Sequence, residues 1–385
     1  MKISENDNIL VISHGFRLTS GGPAQDIRDY LRGKVSHLDY IDHPFPIANY
    51  KETHFFSFIK GQLISTRKSY PYANVEFIRY IQQFFVTFCF LLFNKTKYDI
   101  CFALDNHSTV SVWLFRKVGR IRKLVYYSID FIPKRFNNSI LNRLYHMGDR
   151  LACQLSDINW VVAKHAIQAR RNNGANLKEL SPFVEVPMGF HRDDVREIPI
   201  DRIDPYNLIY MGTILEKQGL QLVIEGLPKI IERLPKVKLT IIGTGIYENE
   251  LKKLVAHYRI GSKVKFKGFI SSAIQMYELL SEAGVGLAPY KPTPDSFSYF
   301  ADPSKIKIYL GCGLPIITTN VTEFSKMVKK YKAGKIIDYT VESLVGSVIN
   351  LLKNRQTYIA YRKAAKTLST KYDTANILKK AIKNL

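Results

Sequence analysis

Residues 303–317 read Pro303-Ser-Lys305-Ile-Lys-Ile-Tyr309-Leu-Gly311-Cys-Gly313-Leu-Pro315-Ile-Ile317. Pro303 and Ser304 suit a helix start, Gly311 and Gly313 suit its end, and the run that follows Pro315 is β-branched and apolar. A strand without polar alternation is buried on both faces, as in a parallel sheet. Three more strands end in glycine upstream. Leu208-Ile-Tyr-Met precedes Gly212-Thr213, Leu239-Thr-Ile-Ile precedes Gly243-Thr244-Gly245, and Val264-Lys-Phe-Lys precedes Gly268-Phe269. Glycine after a strand lets a phosphate or base approach the backbone, and a helix N-terminus offers N–H groups to an anion. Four such turns in one order predict a doubly wound sheet with a nucleotide cleft at its carboxyl edge. Neither GxGxxG nor GxxxxGK[ST] occurs, which disfavours a dehydrogenase or a P-loop ATPase.

The alternation extends outward. Further strand-like runs are Ile9–Ser13, Ile100–Leu104, Lys123–Ser128, Ile158–Ala163 and Gly284–Ala288. Helical patterns cover Gly22–Arg32, Ile140–Leu155, Leu220–Leu234, Ile246–His257, Ala273–Ala283, Lys305–Gly311 and Val341–Asn354. Strands alternating with helices mean βαβ units, hence an α/β fold of two doubly wound domains. A polar, proline-bearing stretch at 191–207 reads as a linker. The expected domains are 1–195 and 206–370, with a lysine-rich amphipathic helix at 371–385. The length of 385 residues suits two such domains.

Charge narrows the partners. Lys and Arg number 56 against 33 Asp and Glu, a net +23. Such a chain attracts phosphate, in nucleic acid, an anionic membrane or a phosphorylated substrate. The four cysteines have no CxxC spacing, so they read as reduced thiols and no structural zinc is expected. The N-terminal apolar run is too short for a secretory signal. Phe77–Phe93 reads as a buried core helix or an interfacial one, with a membrane span as the third alternative. Upstream, 54–72 mixes exposed-looking Phe55, Phe56, Phe58 and Ile59 with Lys60, Arg67 and Lys68, as a membrane-surface anchor requires. The cluster Arg116, Lys117, Arg120, Arg122 and Lys123 suits anionic lipid or a solvated face, and no aromatic signature for nucleic acid accompanies it.

The block Met211–Thr319 resembles the donor-binding domain of GT-B glycosyltransferases. The carriers are the strand–Gly–helix opening at 211–227, the turns above, AGVGLAPY at 283–290 and the PSKIKIYLGCGLPII block. The resemblance implies a GT-B fold, two Rossmann-like domains facing a cleft, with the last helix crossing back to the first. Two departures stand out. The retaining subgroup carries glutamates where this chain has Phe300 and Ile308, and its Arg and Lys diphosphate clamp falls on Thr213 and Gln218. The chain is more similar to the membrane-associated glucuronosyltransferases of xanthan assembly. Ser13-His14-Gly15-Phe16-Arg17, Tyr126-Tyr127-Ser128-Ile129-Asp130, Ala288-Pro289-Tyr290, Lys305 and Gly313-Leu314-Pro315 carry that likeness.

The resemblance implies transfer of a sugar from a nucleotide-sugar donor, of UDP type, to a lipid-linked saccharide or polysaccharide precursor. The expected setting is the cytoplasmic face of the cell membrane. Asp130, at a strand's carboxyl end, suits a general base for inverting transfer. Lys305 at a helix start suits the diphosphate, where leaving-group charge develops. Gly212, Thr213, Gly243, Gly245, Phe269, Tyr290 and Tyr309 complete the expected donor side; His14 and Arg17 are expected at the acceptor or a phosphate, and Gly21 and Gly22 in the cleft against donor or acceptor. His107, His146 and His165 lack spaced partners and read as structural. No Asp-x-Asp occurs, so neither metal nor cofactor is expected and nucleic acid is not an expected partner. A retaining transferase, or a degenerate module that docks on membrane or nucleic acid, remains the alternative.

Overall fold

The computed structural model describes residues 3–15, 21–45, 48–129, 131–136, 138–292 and 304–385. The chain divides into two compact units, Met1–Pro187 with Leu378–Leu385, and Met188–Ile377.

In the first unit the strands are β1 (Asn8–Gly15), β2 (His37–Pro44), β3 (His54–Ile59), β4 (Gln62–Lys68), β5 (Tyr98–Ala103), β6 (Ile121–Ser128), β7 (Ile158–Val161) and β8 (Phe183–Glu185). They form one sheet ordered β4-β3-β2-β1-β5-β6-β7-β8. All neighbours pair parallel except β2 with β3 and β3 with β4. The helices are α1 (Pro23–Leu31), α2 (Glu76–Phe93), α3 (Asn106–Lys117), α4 (Ser139–Leu155) and α5 (His165–Asn172). Leu10, Ile12, Ile41, Cys101, Val112 and Leu124 are wholly buried between sheet and helices. Across the α4 side, buried Arg170 donates to both carboxylate oxygens of Asp149, at 2.8 and 2.7 Å. Such a charge pair is tolerated inside because each partner satisfies the other.

The second unit holds β9 (Asn207–Met211), β10 (Lys238–Ile242), β11 (Val264–Gly268), β12 (Val285–Ala288), β13 (Ile316–Thr319) and β14 (Gly334–Ile337). They form one parallel sheet ordered β11-β10-β9-β12-β13-β14. Its helices are α6 (Leu220–Arg233), α7 (Glu248–His257), α8 (Ala273–Ser281), α9 (Ser304–Gly311), α10 (Phe324–Lys330), α11 (Val341–Lys353), α12 (Arg355–Ser369) and α13 (Thr374–Lys383), whose last residues belong to the first unit. Leu208, Tyr210, Leu239, Ile241, Leu287 and Ile317 fill one core between sheet and helices.

The structure corrects the sequence reading in several places. It adds β2, the β3–β4 hairpin, β14, α3 and α12. In α3 the buried face carries Ser108, Thr109 and Ser111 beside Val112 and Phe115. Small polar residues there hide the helical period from a hydrophobicity reading. Phe58 is buried, and Phe55 stacks on Phe90 with centroids 5.1 Å apart, so neither is a free anchor. In the basic cluster, Arg116 pairs with Asp157, Arg122 pairs with Asp99, and Arg120 donates to the Leu91 carbonyl. Much of that charge is tied to the fold rather than offered to a ligand.

Candidate functional site

In an open α/β sheet the crevice lies where the strand order reverses, because the loops there leave in opposite directions. In the second unit the reversal falls between β9 and β12. The loops at this edge stack backbone on backbone. Gly212 N–H donates to Ile242 O at 3.0 Å, and Gly243 N–H to Gly268 O at 2.8 Å. A Cβ on Gly243 would stand 2.1 Å from Gly212 O, and Gly243 has φ 122. Only glycine fits both the contact and the backbone angle.

Lys305, the second residue of α9, enters this edge. Its ammonium donates to Gln218 Oε1 at 2.6 Å and to Tyr210 Oη at 3.1 Å, and it lies 5.3 Å from the Tyr290 ring centroid. A Cβ on Gly212 would meet Nζ at 3.2 Å, so the glycine leaves the cation open on that side. Both hydrogen-bond partners are uncharged. Burial pulls the lysine down to about 7. An anion brought here would restore its charge, and the head of α9 adds partial positive charge.

The first unit has its own reversal, between β1 and β5. His14, near the end of β1, reaches Asp105, which caps α3 by accepting from Ser108 N–H at 2.7 Å. His14 Nδ1 lies 2.7 Å from Asp105 Oδ2, His107 Nδ1 lies 2.9 Å from Asp105 Oδ1, and the two Nε2 atoms are 2.9 Å apart. Burial would raise the Asp105 carboxyl, but the two histidines hold it well below its usual range. Burial opposes charge on His14, yet Asp105 and Gln83 raise it, while His107 is lowered by burial and by His14. Next to them Asp42 is pushed up to about 6 by burial, against the Tyr50 hydroxyl that donates to it at 3.1 Å.

Residues 192–368 match the family described as Glycosyl transferases group 1. The second unit is a glycosyltransferase group 1 domain. Over 133 residues the chain is 25% identical to WcaL of Escherichia coli strain K12, named as a colanic acid biosynthesis glycosyltransferase. That match covers 34% of this chain and 32% of WcaL. Among solved structures, Anabaena HepE in complex with UDP and glucose superimposes with a TM-score of 0.67 at 14% identity, over 98% of this chain and 99% of that one. Sucrose-phosphate synthase from Thermosynechococcus elongatus gives 0.70 at 14% identity, over 98% and 99%. The fold is GT-B.

Within the glycosyltransferase domain, Gly212, Gly243, Gly245, Tyr290 and Lys305 converge on the β9–β12 edge. Thr213 is exposed beside them, its carbonyl accepting from Tyr210 Oη at 2.8 Å. Phe269 follows Gly268 and is 53% exposed. Tyr309 differs from its expected place at the donor. It is wholly buried, its hydroxyl accepting from Met211 N–H at 2.7 Å and donating to Leu287 O at 3.3 Å. It braces β9 against β12 from beneath. In the first unit, Gly21 and Gly22 precede α1, and the Gly22 carbonyl accepts from Asp26 N–H at 2.9 Å. Asp130 and Arg17 lie outside the described residues. Sequence reasoning overlooked Tyr210, Asp105 and Asp42, and it gave His107 no partner, whereas the structure sets it against Asp105 and His14. The Asp105-x-His107 spacing was the available signal, but its partner His14 is 93 residues away from His107.

Proposed function

We propose that this chain is a glycosyltransferase that moves a sugar from a nucleotide-sugar donor, of UDP type, to a hydroxyl of a lipid-linked saccharide. The carrying observation is Lys305, an ammonium with uncharged partners at the head of α9, facing a loop where Gly212 admits close approach. A departing nucleoside diphosphate develops negative charge there, and the lysine, charged once the anion is bound, lowers the barrier to its departure. HepE, which shares the fold, was crystallised with UDP and glucose. Asp130 is the proposed base, giving inversion at the anomeric carbon. The chemistry assigned to Lys305 and Asp130 calls for no metal.

A lipid-linked acceptor fits a protein that rests on an anionic membrane surface. No helix among the described residues is long and apolar enough to cross a membrane. In the first unit α4 exposes Ile140, Leu144, Met147 and Leu151, one stripe at helical spacing, with Arg143 and Arg150 exposed beside it. Its only acid, Asp149, is buried on Arg170. Ile78, Ile81, Phe85, Leu92 and Phe93 are exposed on α2. Apolar insertion beside arginine suits anionic headgroups on the cytoplasmic face. The deciding experiment screens UDP-, GDP- and ADP-sugars by calorimetry, then follows transfer to a lipid-linked acceptor. If no nucleotide sugar binds, the reading fails.

A further inference from the structure

The hydrogen bonding around His14 leaves lone pairs facing one another. A carboxylate at neutral pH only accepts, so both Nδ1 atoms that approach Asp105 carry its hydrogens. Both Nε2 atoms are then left as acceptors, and they point together at 2.9 Å. Gln83 adds a third. Its amide nitrogen donates to Pro44 O at 2.8 Å, which turns Oε1 toward His14 Nε2 at 2.9 Å. Three lone pairs thus meet with no hydrogen of their own. Among the described residues no group donates to them, so a cation, either an extra proton or a metal ion, completes the cluster.

We propose that His14 Nε2, His107 Nε2 and Gln83 Oε1 form a binding site for a divalent transition ion of the zinc type. Two nitrogens each about 2.0–2.1 Å from one ion and about 90° apart lie about 2.9 Å from each other, and a tetrahedral angle asks for only about 0.4 Å more. Asp105 holds both Nδ1–H groups at once, which sets tautomer and ring orientation as carboxylates behind metal-binding histidines do. His14, Asp105 and His107 offer ligand atoms all within 4.8 Å of one another. His43 takes no part: its two ring nitrogens are engaged by Thr53 and Thr87. The entry side is His107, whose side chain is 24% exposed against 3% for His14. The site lies within the first unit and does not depend on donor binding at Lys305.

The test uses the untagged full-length chain, freed of metal by a chelator and titrated with ZnCl2 by calorimetry. One ion per chain is expected, with micromolar or tighter affinity. His107→Gln should weaken it at least tenfold, and Asp105→Asn by about 10–100-fold, the range for residues that orient ligands. His257→Gln, on an exposed helix end, should leave it unchanged. Where the variants do not fold, Zn2+ should protect His14 and His107 of the unaltered protein from diethyl pyrocarbonate, read by mass spectrometry. Absence of uptake, equal uptake by His107→Gln, or absence of protection would show that the cluster holds a proton alone and overturn the proposal.

Discussion

Gln218 Oε1 accepts from the Lys305 ammonium at 2.6 Å, across the β9–β12 edge. A neutral amide and a phenol thus hold this lysine at the head of α9. Removing Lys305 removes the charge while Gln218 and Tyr210 remain. Lys305→Ala should weaken UDP binding by about 1.5–3 kcal/mol, the range for a charge-assisted hydrogen bond. Unchanged affinity by calorimetry would refute the assignment.

The same lysine predicts a pH dependence. Its value in the folded chain is about 7 and the ordinary value is 10.5. At pH 8 the free protein therefore holds it mostly neutral, and a bound diphosphate recharges it. Binding of UDP should take up close to one proton, and affinity should fall as pH rises from 7 to 9. Calorimetry at pH 8 in two buffers of different ionisation enthalpy reads the uptake directly, and Lys305→Met should abolish it. The unliganded chain should gain stability from pH 7 to 10.5, because across that interval the unfolded state binds more protons.

Gly243→Ala should destabilise the second unit. Its Cβ would stand 2.1 Å from Gly212 O, and the loop cannot yield without breaking the hydrogen bond from Gly243 N–H to Gly268 O. Backbone strain at this φ costs about 1–3 kcal/mol before the clash is counted. A melting temperature within a degree of the parent would show that the stacked loops are not rigid.

Asp130→Asn should lower turnover by about 10²–10⁴, the usual loss of a general base, and leave UDP affinity unchanged. The product should have the anomeric configuration opposite to the donor's. Retention of configuration, or near-normal turnover of the variant, would exclude Asp130 as the inverting base.

Leu144→Glu with Met147→Glu places two carboxylates in the exposed stripe of α4, where neither side chain supports the core. Flotation on anionic vesicles should fall at least tenfold, since each change removes apolar insertion and adds repulsion on the order of 1 kcal/mol per charge. Binding in the parent should also fall with salt. Parent protein that ignores anionic vesicles at low salt would end the membrane reading. If the parent binds and the variant binds equally well, α4 is not the contact, and the exposed residues of α2 are the next to change.

The sequence by itself determined the alternation of strand and helix, the glycine turns of the second unit and the place of Lys305 at a helix start. Each is a local property: an apolar run, a residue without Cβ, a proline before a serine. The β3–β4 hairpin stayed hidden because β4 is an exposed edge strand whose apolar Leu63 and Ile64 are consecutive. Only the tertiary structure decided which groups meet. Lys305 finds Gln218 and Tyr210 across 87 and 95 residues, and His14 finds Asp105 across 91. Parallel strands are joined by crossovers, so neighbours in the sheet are distant in the chain. Which loops share a carboxyl edge depends on where the strand order reverses, at β1 beside β5 and at β9 beside β12. That order follows from packing the helices on both faces of each sheet, and no single stretch of residues carries it.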